Sequence, residues 1–445
     1  MRQSRDRKGA GAYAAWATAP LLLLTLALTL SAATPGHRVI QLPAGVVNLD
    51  SEIHAASDTE VRGDPAGTVL RVTGRAAIVA EGSNIRIHDL TIEGSEGPAA
   101  GLPGYDVPFA RFTRGNGILA LGVDGLTVER VHVRKVSGFA ILVNASRHVE
   151  ISDCTVDASG GRNSAGRNNT TGGILLEEGT ADFHVTRCRL SGIRGNGIWT
   201  HSLYTSPRNG PGAIANNSFR NIGRDAIQVG HALSIRVEGN TGDRIGFPIE
   251  DVDIESRAIP VAIDTAGNVS GSAYTGNQFR EVNGKCIDLD GFHDGEISRN
   301  TCANAAAAEA YPFGGYSIVM NNTNPDMRSQ NVRITGNEID GSKFGGIFVI
   351  GTGNHVEGNR MRRLNLAHCN EEAARFGCYY AAGQPELLQS GIYLGSGAER
   401  PAPARGNVVA RNQISGFKMD RRCIALAPGI AKDWNTVRDN VCRQP

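Results

Sequence analysis

The sequence predicts an all-β chain wound as a single-stranded right-handed parallel β-helix of about 12 coils with loop insertions on one side. Three observations carry this expectation. Strand-compatible segments recur at closest spacings of 22 to 23 residues, the length of one coil with three short strands and three turns. A marker column reads Leu90, Val131, Cys154, Cys188, Asn217, Asn240, Asn277, Asn300, Asn337, Asn359, Asn412 and Asn440. A second column follows roughly ten residues later, at Ile141, Ile198, Ile227, Ile287 and Ile347, and after other gaps at Ile118, Ile174, Ile318, Ile392 and Ile424. The composition agrees, because 56 glycines and 6% aromatic residues suit many short strands joined by tight turns.

The first element in the chain stands apart from the repeat. Arg2, Arg5, Arg7 and Lys8 precede an uncharged run from Gly9 to Thr34 with an apolar centre at Leu21 to Leu30, and Ser31-Ala32-Ala33 supplies small residues for cleavage. Residues 1–33 read as a secretory signal peptide. The alternative is an uncleaved anchor, since the run is long enough to span a bilayer; Pro20 in its middle favours cleavage. The expected location is therefore extracellular or periplasmic, with no membrane association after signal removal. Losing residues 1–33 takes away four bases and one acid and moves the formal charge from +1 to −2, which gives no basis for nucleic-acid binding.

Residues 34–445 read as one elongated domain, with 38–94 forming the first coils and 95–445 the regular ones. The asparagine column is structural on this reading. A residue repeated at one turn of every coil must tolerate a left-handed backbone, and stacked amides bond one another across about 4.8 Å. Cys286 and Cys302 bracket one repeat and Cys423 and Cys442 another, so each pair is assigned a disulfide; Cys369 and Cys378 close a loop inside an insertion. Cys154 and Cys188 share a column in neighbouring coils, and no Cys-x-x-Cys spacing suggests zinc. The spacing lengthens at Ser95 to Asn116, Ala158 to Thr171, Asp251 to Ser272, Asn304 to Gly315 and Leu364 to Gln389. All but one lie between the marker turn and the following isoleucine strand, on one side of the cylinder.

This pattern resembles the pectate-lyase-like superfamily of right-handed parallel β-helix proteins. The resemblance rests on the two columns and on the opening segments Ile40-Gln41-Leu42-Pro43-Ala44-Gly45, Val61-Arg62-Gly63 and Asn84 to Gly94. It implies the fold over nearly all of residues 38–445. It implies no single reaction, since the superfamily holds lyases, hydrolases, epimerases, transferases and tailspikes.

Chemistry is expected on the outward positions one and three residues after each isoleucine. The outer coils carry leucine, alanine or glycine there, whereas the middle ones carry acids, histidines and amides. One coil lacks an obvious member, and marker spacing places its strand near Ile249, which adds Glu250, Asp251, Asp253 and Glu255. Asp288 and Asp290, with backbones about 6.5 Å apart on one strand, are the expected catalytic carboxylates of a glycosidase. Asp251, His201 and His231 join them as catalytic candidates. Glu177, Trp199, Gln228, Asn321, Phe348 and Tyr393 are the expected substrate contacts, with the three aromatic rings stacking on sugars. Asp251, Asp253 and Asp288 form the metal set if calcium is used; no other cofactor is expected. Three functions compete: polysaccharide hydrolysis in a lateral groove, a calcium-assisted lyase or C5-epimerase reaction on a uronic-acid polymer, and a non-catalytic binding or structural β-helix. The lyase and epimerase readings require a base, and Arg194, Arg224 and Lys285 are near in sequence but off the outward positions.

Overall fold

The computed structural model describes residues 29–444 apart from 35, 73, 105, 255–258, 370–377, 379–386 and 398–399. Most of the expected signal peptide, and Glu255, lie outside the described residues; Thr29–Thr34 forms a strand that pairs antiparallel with His37–Gln41. No described helix is long and apolar enough to cross a membrane.

From His37 onward the chain winds as a parallel β-helix. The isoleucine column is an unbroken ladder: Ile53, Ile78, Ile118, Ile141, Ile174, Ile198, Ile227, Ile263, Ile287, Ile318, Ile347, Ile392 and Ile424 each pair with the next. All except Ile424 are buried, so the alternate residues of each strand fill one continuous core. The uncertain coil is corrected here. Ile249 belongs to a 3₁₀ turn, Ile249–Asp251, inside an insertion, and the strand is Val261–Ser270 with Ile263 in the column.

The asparagine ladder is present and its physical cause differs from the expectation. From Asn217 to Asn440 each amide Nδ2 donates to the Oδ1 of the next asparagine at 2.9–3.0 Å. The left-handed backbone falls one residue earlier, at Asp89, Arg130, Asp153, Arg187, Asn216, Gly239, Gly276, Arg299, Gly336, Gly358, Arg411 and Asp439, just before every marker. The asparagines are therefore selected by their side-chain amides, which satisfy buried backbone groups at the corner. A second ladder, Asn354, Asn407 and Asn435, lines another corner near the C-terminal end.

Cys286–Cys302, Cys369–Cys378 and Cys423–Cys442 are disulfides, as the spacing predicts. Cys154 and Cys188 are buried free thiols on adjacent coils. Insertions precede the isoleucine strands at 94–115, 158–171, 246–260, 304–317 and 365–391. A second set, 202–211, 322–332 and 395–407, follows those strands on the opposite side and was not anticipated. The outward face of the isoleucine strands thus lies between two ranks of loops.

Candidate active site

Gln228, Asp264 and Asp288 each follow a core isoleucine by one residue, so the pleat that buries Ile227, Ile263 and Ile287 turns these three polar groups to the same face of successive coils. Two residues before Ile227 and Ile287 stand Asp225 and Lys285. Together with Arg224 and Asp253 they line a cavity of about 60 Å³ that has Ile259, Pro260 and Val261 on its apolar side. A relay of amides fixes the acids: Asn196 Nδ2 donates to Gln228 Oε1 at 2.8 Å, and Gln228 Nε2 donates to Asp264 Oδ2 at 2.6 Å. Asp225 Oδ1 accepts from the Val261 N–H at 2.9 Å. Lys285 Nζ donates to Asp288 Oδ2, making an ion pair inside the cavity.

These contacts separate the protonation behaviour of the groups. Burial raises Asp264 well above the ordinary carboxylate range, and the neighbouring charges of Asp225 and Asp288 push the same way. Burial raises Asp225 to about 6. Desolvation opposes charge on Lys285, yet Asp288, Asp264 and Asp290 overcome it and hold the ammonium above its usual range. The cavity therefore holds an acid that keeps its proton beside a carboxylate held by a permanent cation.

Several expected site residues have other employment. Asp290 does not line this cavity; its carboxylate accepts the Thr323 N–H at 2.8 Å and the Thr323 hydroxyl at 2.6 Å, fastening the 322–332 insertion. Glu177 is fully buried and accepts the N–H groups of Phe109 and Ala110 at 2.8 and 2.7 Å, and the Asn144 amide at 3.0 Å. It anchors the short helix Phe109–Phe112 and is no surface contact for substrate. Asp251 is in the insertion, 3.9 Å from Arg194. Asp253 is ion-paired to Arg167 at 2.7 Å, with Arg224 at 3.7 Å, and latches the 246–260 insertion to the 158–171 insertion. Asp251, Asp253 and Asp288 thus face different cations and do not form the oxygen cage that calcium needs. Glu177, Glu178 and His201 do bring ligand atoms within 4.8 Å of one another, but both carboxylates already accept protein donors.

Of the three expected aromatic contacts, Trp199 and Phe348 are half-buried and Tyr393 is buried. Tyr393 stacks on Phe348 at 5.8 Å and packs in a cluster with Ala367, Cys369, Cys378 and Leu388. Trp199 packs against Phe109 at 4.9 Å and His201 at 5.2 Å. His201 is lowered by burial to about 4, and burial lowers His231 as well, so both imidazoles are neutral near pH 7. His231 adopts φ +43° at the irregularity between Gly230 and Ala232 within its strand and packs on Tyr204 at 4.6 Å; Asn321 Nδ2 lies 3.4 Å from the Thr323 hydroxyl. Neither His231 nor Asn321 lines the cavity, whereas Gln228 does.

Asp225 and Asp264 were missed, although a signal was present. Ile263-Asp264 and Ile287-Asp288 repeat the same dipeptide 24 residues apart, one coil plus a residue. The insertion between Ile245 and Val261 hid it by shifting the strand away from its expected distance after Asn240. Arg224 and Lys285 also reach the cavity, Arg224 from the bend before its strand and Lys285 as the first residue of Lys285–His293.

Fold and site together define a right-handed parallel β-helix protein with a carboxylate cluster on its central coils, as the resemblance implied for the fold. Residues 75–279 match the family model described as "Right handed beta helix region". The chain is similar to the DFA-IIIase of Arthrobacter chlorophenolicus, at TM-score 0.56 and 13% identity over 90% of this chain and 87% of that one. A structure of the same enzyme with DFA-III bound gives TM-score 0.52. The catalytic domain of a GH87 α-1,3-glucanase in complex with nigerose gives TM-score 0.54 and 15% identity, covering 90% of this chain and 64% of that one. No curated protein sequence matches the chain.

Proposed function

We propose that the protein is a secreted carbohydrate-active enzyme that hydrolyses a glycosidic bond of a polysaccharide or oligosaccharide bound between the two ranks of insertions. The observation that carries this reading is the Asp225–Asp264–Asp288–Lys285 cluster in one cavity. Asp264, kept protonated by burial and by its acidic neighbours, gives its proton to the departing glycosidic oxygen. Asp288, ion-paired to Lys285, takes a proton from the water whose oxygen bonds to the anomeric carbon as the C–O bond breaks. Gln228 holds Asp264 in place, and Asp225 beneath it keeps the proton from leaving. The three disulfides agree with export, and the similar folds just described include proteins solved with bound saccharides.

Lys285, with Arg224 in the same cavity, speaks for elimination chemistry on a uronic acid. Its ammonium is held up by Asp288, Asp264 and Asp290, so it is a poor base, and the calcium set is not assembled. Hydrolysis is the better account. A panel of neutral and uronic polysaccharides separates the readings: hydrolysis releases reducing ends with no new ultraviolet absorbance, whereas elimination yields unsaturated, absorbing products. Asp264→Asn and Asp288→Asn should each lower turnover by about 100-fold or more. Unchanged turnover in both variants would overturn the assignment of these two acids, and no turnover of any saccharide would leave a binding or structural β-helix.

A further inference from the structure

Tyr204 is 52% exposed, yet it is fixed on three sides. Its hydroxyl accepts a hydrogen bond from Asn324 Nδ2 at 2.8 Å, which ties the 202–211 insertion to the 322–332 insertion. Its ring lies 4.6 Å from the His231 ring, tilted by 53°. Its hydroxyl also lies over Gly267, where φ is +110° and a Cβ would come within 3.3 Å of it. The loops that meet here are each fastened by a carboxylate. Glu178 Oε1 accepts the Leu203 N–H at 3.0 Å, one residue before the tyrosine, and Asp290 accepts both donors of Thr323, one residue before the asparagine. Gly230, Ala266 and Gly267 leave the strands beneath without bulky side chains, between the coils that carry His201 and Asp290.

A lone exposed tyrosine on a loop needs no explanation. One whose orientation is set by two anchored loops, over a glycine three residues along the strand from Asp264, does. An aromatic face immobilised before binding offers the C–H face of a sugar ring a surface without the rotamer cost of ordering it. We propose that Tyr204 is the stacking platform of a glycosyl-binding subsite adjoining the Asp264–Asp288 cavity, and that Asn324 is its positioning residue. The proposal rests on the hydrolase reading and names where a neighbouring sugar unit is held.

The test uses Asp288→Asn protein, which does not consume its ligand, titrated calorimetrically with an oligosaccharide panel. Adding Tyr204→Ala should weaken the binding of a recognised oligosaccharide about tenfold or more, while Tyr204→Phe keeps it within about threefold. Asn324→Ala, which leaves the ring intact and removes the same hydrogen bond as Tyr204→Phe, should match that variant and covers the case in which Tyr204→Ala does not fold. In the active protein Tyr204→Ala should raise KM more than it lowers kcat. Equal affinity in Tyr204→Ala and its parent would overturn the platform and leave the acid pair standing. A panel in which no saccharide binds the parent would overturn both.

Discussion

Asp225 shows what a single buried carboxyl costs a fold. Its side chain is held under Val261 with other acids around it, and its folded pKa is about 6 against an ordinary 3.8. The folded state binds the proton more tightly than the unfolded chain, so the associated stability is complete below about pH 4 and is lost as pH rises through 6. Glu177, raised by burial to about 7 despite its three donors, has the same sign. His201, lowered to about 4, acts in the opposite sense, so the comparison is with the variant: between pH 4.5 and pH 8 Asp225→Asn should gain on the order of 2 kcal/mol relative to its parent in denaturant unfolding. The same logic governs activity. If Asp264 is the general acid, turnover falls as pH rises through its elevated pKa, and a pH–rate profile with only an acidic limb would contradict that role. Asp288 was legible in the sequence because it stands among leucines and alanines in its column. Asp264 carries the same Ile-Asp dipeptide but was hidden, because the insertion before Val261 shifts its strand away from the expected spacing.

The unit of this architecture is the corner between strands, where a left-handed residue and a marker asparagine stand side by side. Asn277 bonds Val237 O and Asn300 Oδ1 and accepts from Asn240, all in the interior. Asn277→Ala should leave those groups unpaired and cost about 1–3 kcal/mol, measured by denaturant unfolding. Asn440→Ala, on the half-exposed last rung, should cost less, since water can replace its bonds. The ladders of isoleucine and asparagine were readable from the chain because each repeats a residue type at a coil's length. The position of the left-handed residue was not, since Asp, Arg, Asn and Gly all occupy it and share no side-chain pattern.

Across the whole molecule each coil leans only on its neighbours, so the two ends are held differently from the middle. The last strands, Thr436–Arg438 and Val441–Arg443, are exposed, and Cys423–Cys442 ties them back to the preceding turn. Reduction should raise amide hydrogen exchange in residues 424–443 while the strands from 172 to 293 keep their protection; uniform loss of protection would show instead that the solenoid melts as one body. The lateral loops were the least legible part, because they carry no period, and they decide which outward rings meet water. Tyr393 looks like a surface residue until Ala367, Cys369, Cys378 and Leu388 are packed against it.

The amide bonds of the ladder have a further bearing. Asn217 and Asn240 are 23 residues apart and Asn359 and Asn412 are 53 apart, yet their side chains meet at 3.0 and 2.9 Å. The rungs count coils and ignore the length of chain between them. A lineage can therefore lengthen, shorten or exchange its lateral loops without renegotiating the core, and a loop transplanted between two such scaffolds should carry its selectivity with it.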